Sequence, residues 1–329
     1  MRTSPALRVL RDDQVEAMFD LELDTAPADH RERWDTAPAD HRERWEPRCI
    51  MCDRPRSTHG TPVEYGGETI IPTCELLHPG GLLPEGPPPP PGPRPLSRLL
   101  ELSFSMRLFD AKAIVGSLGE PSKMPGAAYG LDAWQCKVGS VLAELPGSTC
   151  SSCYARRNFY KYYYTARSAR ARRQAAIHHP LWDVAMVVVL RDYMRTTDLA
   201  GIAKPVFRWH DSGDLDSLDH LEKIVGIARC TRRLRHWLPT REYGVVAQFV
   251  REGGVVPPNL TIRLSAHYND RLPALPPELR GFPISTTHTT RPPRSERPTV
   301  VCRASTRENR CGGCRACWSK VDAVSYPLH

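Results

Sequence analysis

The chain has 329 residues, with 45 Lys and Arg against 37 Asp and Glu, a formal charge of +8 and 40% hydrophobic residues. That length accommodates one large domain plus a small one. The longest apolar run, Val184–Leu190, is too short to span a bilayer and is flanked by charge, and the charged Met1–Ala17 lacks the apolar stretch of a secretory signal; a cytoplasmic protein is expected, away from membranes.

In a reducing compartment, eleven cysteines in clusters point to metal ligation and away from disulfides. Residues 1–48 hold eight Arg and twelve Asp or Glu, so residues 49–329 carry a net charge of +12. A surplus of that size favours an anionic partner such as nucleic acid.

In chain order, residues 1–48 are expected to be a largely flexible acidic segment. Within it Asp13–Leu23 has helical apolar spacing at Val15, Met18, Phe19 and Leu21. Asp24–Trp45 repeats DTAPADHRERW twice, too few copies for a solenoid, and reads as a surface linker. Residues 49–83 form a small module: Cys49-x2-Cys52 and Cys74-x3-His78 flank a hairpin turning at Gly66-Gly67, the layout of a structural zinc ribbon that metal would stabilise. Residues 84–98 are proline-rich, with Pro84–Pro95 reading as a stiff spacer, and residues 99–329 are the core domain.

In that core the spacing predicts helices over Arg156–His178, Leu181–Arg195, Ser217–Arg229 and Tyr243–Arg251. It predicts strands over Val206–His210, Leu234–Leu238 and Leu260–Ser265. Strand–helix alternation implies an α/β fold with a parallel sheet, expected as a full or partial (β/α) barrel. Chemistry then belongs at the C-terminal strand ends, which carry His210, Asp211 and Asp214, then Thr240, Arg241 and Glu242, then Ser265-Ala266-His267.

Two cysteine groups lie in the core. Cys302-x8-Cys311-x2-Cys314-x2-Cys317 places four thiols within one short segment around Gly312-Gly313, fitting zinc or a four-iron cluster. Cys136-x13-Cys150-x2-Cys153, followed by Tyr154, offers three ligands and therefore an open position on an iron–sulfur cluster, or a zinc site completed by His178, His179 or Cys230. Directly after it, RRNFYKYYYTARSARARR (156–173) contains seven basic and five aromatic residues. Arg156, Arg157, Lys161, Arg167, Arg170 and Arg173 suit phosphates and Tyr160 suits an unpaired base, although Phe159, Tyr163 and Ala166 also fit a buried stripe.

The phrases KMPGAAYGLDAWQCKVG, GSTCSSCYA, FRWHDSGDLDS, HWLPTRE, NLTIRLSAH and CGGCRACW, in this order, resemble the phage gene product 88 family over about residues 102–329. That family in turn looks distantly similar to radical S-adenosylmethionine enzymes. The resemblance implies a 4Fe-4S cluster on Cys136, Cys150 and Cys153 that chelates S-adenosylmethionine, and an auxiliary cluster or zinc knot on Cys302–Cys317. The chain departs from the usual radical pattern in its long first cysteine interval, and its Gly66-Gly67-Glu68 lies upstream in the small module.

Three functions follow as expectations. The first is a metal-dependent enzyme acting on a nucleic-acid base or nucleotide, with Asp211 and Asp214 as acid–base groups, His210 as shuttle or ligand, and Arg241 and Glu242 positioning the substrate. The second is a non-catalytic, zinc-stapled nucleic-acid-binding protein. The third is a zinc-containing base-exchanging transglycosylase with Asp211 or Asp214 as nucleophile.

Overall fold

The structure is a computed structural model that describes residues 94–157, 164–202 and 205–328, plus the backbone of two short strands near residue 66. The helix expected at Asp13–Leu23, the tandem repeat, Cys49, Cys52, Cys74, His78, Phe159, Tyr160, Lys161 and Tyr163 lie outside the described residues. The chain divides into two compact units, 1–87 and 88–329. In the first, β1 (Val63–Tyr65) pairs antiparallel with β2 (Glu68–Ile70), in the register of a hairpin turning at Gly66-Gly67.

The second unit is α/β around a seven-stranded parallel sheet. Its strands are β3 (Ala127–Tyr129), β4 (Val206–Trp209), β5 (Arg235–Thr240), β6 (Leu260–Ser265), β7 (Ile284–His288), β8 (Thr299–Val301) and β9 (Ala323–Pro327), in the order 3-4-5-6-7-9-8. The helices are α1 (Leu96–Ser105), α2 (Leu108–Val115), α3 (Lys137–Ala143), α4 (Tyr164–Ala176), α5 (Trp182–Leu199), α6 (Leu218–Cys230) and α7 (Tyr243–Arg251). Three sequence-derived helices and three strands are recovered with end shifts of a few residues. The long basic helix is described only from Tyr164, and α1 already begins at Leu96. Among the described residues no pairing joins β3 to β8, so these are the edges of the sheet.

The strand order explains the layering. Parallel neighbours need crossover connections, and right-handed crossovers between strands added in consecutive order place the helices on one face. There α5 packs on α1, α2 and α6, and α6 packs on α7. Alternate residues of each strand enter this layer: Phe207 and Trp209 from β4, Leu238 from β5, and Leu260, Ile262 and Leu264 from β6. Trp182, Trp209 and Tyr129 meet at 6.0–6.4 Å between ring centroids.

The residues between them face the other way, where among the described residues no crossover helix covers them. Val206 and Trp237 form a second small core with Trp318 of the C-terminal segment. Arg263 of β6 points to the same side and is fully buried. Its Nη1 donates to Ile284 O (3.0 Å) and Val321 O (3.1 Å), and its Nη2 to Ala316 O (3.2 Å) and Ser319 O (2.9 Å). Trp318 Nε1 donates to Phe207 O at 2.8 Å. The four-thiol segment is thus stitched to the sheet through backbone carbonyls.

Replacing Arg263 by Ala strands those carbonyls and should lower unfolding stability by about 3–5 kcal/mol in urea titrations. Arg263→Lys should recover only part, since a point charge cannot reach four acceptors as a planar fork does. An unchanged midpoint in Arg263→Ala would refute the stitching role.

Candidate functional site

Two separate segments carry the thiols, Cys136 on one and Cys150 with Cys153 on the other, to the C-terminal ends of β4, β5 and β6. Cys136 ends a single 3-10 turn (Ala133–Gln135) and starts α3, where Ser140 N bonds its carbonyl at 3.1 Å. Glu242, just beyond β5, accepts from Val138 N at 2.9 Å and so caps the first turn of α3 from another element. The Cys150 loop is held by Thr149, whose hydroxyl accepts from Arg241 Nε at 2.9 Å and donates to Ala266 O at 3.0 Å. Cys153 N closes a turn on Cys150 O at 3.1 Å.

Asp214 binds these strand ends together. Its Oδ1 accepts from Leu215 N (2.8 Å) and its Oδ2 from Arg241 N (3.0 Å). Burial raises its pKa, with the Thr240 hydroxyl and the Arg241 amide opposing. Burial likewise raises Glu242, opposed by its bond to Val138.

The thiols feel one another. Burial pushes Cys136 far up, reinforced by Asp214, Cys153 and Cys150 and opposed by Arg241. Cys150 is raised by burial, with Arg241 countering. A Cβ built on Gly139 would stand 2.9 Å from Cys136 Cβ, 3.6 Å from Cys136 Sγ and 3.7 Å from Cys150 Sγ. Glycine therefore keeps open a small space flanked by two thiols. Among the described residues no three His, Cys, Asp or Glu side chains already stand in a metal-coordinating arrangement. The other suggested ligands lie elsewhere: Cys230 closes α6 beside Arg191 and Asp183, His178 faces Asp216 at 3.9 Å, and His179 Nδ1 accepts from Leu181 N.

Beside the trio, Tyr154 donates from its hydroxyl to Asp211 O and also bonds Arg208. Asp211 leans on the β3 extension, its Oδ1 filling the place that a Cβ of Gly130 would take, so a side chain there would push the carboxylate aside. Arg208 lies 4.5 Å over the Trp237 ring, with Tyr154, Asp211, Tyr326 and Cys317 as its polar neighbours. It therefore stands between the two cysteine groups. In the second group, Cys302 N bonds Ser325 O, Cys311 N bonds Lys123 O and Cys317 Sγ lies 3.2 Å from Tyr326 Oη. Burial lifts Cys317 to about 11 against the pull of Tyr326, Arg263 and Arg208, while Cys302 and Cys314 raise Cys311 beyond its own burial.

His210 takes a different place. Its backbone turns to φ 54°, and the ring enters the helix-side core, 5.2 Å from His220 and 6.3 Å from Trp209. Among the described residues both ring nitrogens are buried without a hydrogen-bond partner. Burial and Arg208 lower its pKa to about 3. The structure thus gathers Asp211, Asp214, Arg241 and Glu242 near the thiols and sends His210 into the core. Of the basic stretch, Arg157 donates to Ser151 O, and Arg173 donates to Ser117 O beneath the Tyr129 ring, while Arg156 lies over Trp134 and Arg167 and Arg170 line a cleft with Trp134 and Ala155. Gly139, Thr149 and Trp134 had no signal in the sequence, because their roles depend on partners far along the chain.

Fold and site together define an α/β protein that collects three thiols, three carboxylates and a guanidinium at the ends of parallel strands. A family model described as Gene product 88 matches residues 110–320, and the chain belongs to that phage protein family. No curated protein and no solved structure matches the chain.

Buried neutral histidines make stability fall in acid. His236 is lowered to about 3 by burial, its Nε2 2.9 Å from Thr231 Oγ1. The unfolded chain protonates this ring near pH 6.5 and the folded chain only near 3. Its contribution is therefore complete above about 6.5 and declines by about 1.4 kcal/mol per pH unit below it. His236→Gln should flatten the acid limb of stability against pH by one proton relative to wild type in denaturant titrations from about pH 7.5 to 4.5. Parallel limbs would contradict this reading.

Proposed function

We propose that the protein is a metal-dependent enzyme acting on a nucleic-acid base or nucleotide, with a four-iron cluster held by Cys136, Cys150 and Cys153 at the mouth of a partial barrel. The observation that carries this is the space kept by Gly139 between Cys136 Sγ and Cys150 Sγ, a cradle that a single methyl group would fill. High-lying buried thiols point the same way, since they ionise only where a cation compensates them.

Three protein ligands would leave one coordination position open, and the bound group would supply an iron site able to take a small molecule such as S-adenosylmethionine. The chain's own residues do the rest. Asp214 and Thr149 fix Arg241 beside the thiols, through its backbone amide and its Nε. Glu242 holds the start of α3 and with it Cys136. With both its oxygens bonded to backbone amides, Asp214 acts as a clamp, which leaves Asp211, beside Tyr154, Arg173 and Arg208, as the carboxylate placed to give or take a proton. The Cys302–Cys317 quartet would hold a second, closed centre, iron–sulfur or zinc, with Arg208, Arg263 and the Tyr326 hydroxyl offsetting thiolate charge.

The test is purification without oxygen, with iron, acid-labile sulfide and zinc measured per chain and an absorption spectrum. A brown protein is expected. Cys136→Ala and Gly139→Ala should each lose about one cluster's worth of iron while the quartet's metal stays. A colourless, zinc-only protein would overturn the iron–sulfur reading and favour the binding-protein or transglycosylase alternatives.

A further inference from the structure

A cleft of about 360 Å³ opens beside the thiol trio. One wall is built from the two turns that carry the cysteines: Trp134 lies two residues before Cys136, and Ala155 two after Cys153. The facing wall is one side of α4, with Arg167, Ser168 and Arg170. Spacings of three and four residues put such positions on one helix face. Arg173 is excluded, being turned to Ser117 O and Tyr129. The cleft therefore separates Arg173 from Arg167 and Arg170, which line its wall, Arg170 also donating from Nη1 to Ala166 O of its own helix at 2.8 Å.

Three features describe what would fill it. Trp134 is 45% exposed, with the Arg156 guanidinium 4.2 Å over one face of its ring, so the other face is available for stacking. The Arg167 guanidinium and the Ser168 hydroxyl stand on the facing wall, donors for an anionic oxygen. Asp132 Oδ1 accepts from Trp134 N, which leaves the other carboxylate oxygen as an acceptor for an amino group. An aromatic platform, an acceptor and several guanidiniums are complementary to a base joined to a phosphate. The volume lies at the lower end for small-ligand pockets, suited to one such unit.

We propose that this cleft binds a single nucleoside monophosphate unit, free or as one residue of a single strand, its base on Trp134 and its phosphate on Arg167 and Arg170. A duplex does not fit, because its bases are stacked on one another and cannot reach an aromatic ring in a cleft. The inference rests on the substrate class proposed above and gives it a place, against the two turns that bear Cys136 and Cys153.

The experiment uses the full-length, metal-loaded protein and a short fluorescein-labelled single strand of mixed sequence, read by anisotropy, with AMP and the matching duplex as competitors. Trp134→Ala is expected to weaken binding about tenfold or more, and Trp134→Phe much less. Arg167→Ala with Arg170→Ala should flatten the dependence of log affinity on log salt by roughly 0.7 for each phosphate no longer neutralised. Arg195→Ala, which removes an exposed pair with Asp192, should change neither. Competition by AMP would identify the free nucleotide as sufficient; Trp134-dependent strand binding without it would place the unit within a strand. Cleft variants that bind the strand and AMP as wild type does, or a duplex that competes as well as the strand, would overturn the proposal. Iron measured on the same samples separates the two readings. Intact iron with Trp134-independent binding sinks the cleft alone, while Cys150→Ala without iron but with Trp134-dependent binding upholds it.

Discussion

A buried guanidinium holds the uncovered side of this sheet. Consecutive strand order sends α5, α6 and α7 to one face, and the opposite face would expose Trp237 and Val206 without another cover. Arg263 solves this by donating from two nitrogens to four carbonyls spread over β7 and the C-terminal segment. Desolvating such a charge is costly unless its donors are filled, and carbonyls fill those of its two terminal nitrogens without adding opposite charge. Trp318 then completes the layer, and the four-thiol segment arrives at a fixed place against Tyr326 and Arg208.

The strand ends rely on backbone partners in the same way. Asp214 and Glu242 have the composition of acid–base groups, but each accepts from backbone amides that fix the loops bearing Arg241 and Cys136. They act on whatever occurs at the thiols by holding the geometry. His210 shows the reverse case, a residue of catalytic type at a strand end whose left-handed backbone carries it to the apolar side. Identity and location along a strand did not decide its surroundings; the backbone dihedral did.

Much of the α/β pattern was legible in advance because its signals are local. Leu260–Ser265 and Tyr243–Arg251 coincide with the observed elements, since a continuous apolar strand and an amphipathic helix announce themselves within a few residues. The strands β3, β7, β8 and β9 did not: AAY and TVV are too short, and ISTTH and AVSYP too polar, to stand out. Their pairing depends on neighbours already in the sheet. Cysteine spacing pointed to both thiol groups, whereas the cradle at Gly139 and the Thr149 anchor arise from contacts across long stretches of chain. The Trp134 cleft was invisible for the same reason.

The two thiol groups also differ in when they come into being. The quartet lies within sixteen residues of one another and needs little more than its own segment to assemble. The trio has no such local existence: Cys136 is placed by a carboxylate from beyond β5, and Cys150 by the carbonyls that follow β6. During synthesis these ligands stay apart until the chain past Ala266 has emerged and β4, β5 and β6 have paired. Were the trio to hold the cluster proposed above, it would be loaded into a nearly finished protein, and loading would be a late event, open to control by whatever delivers the metal.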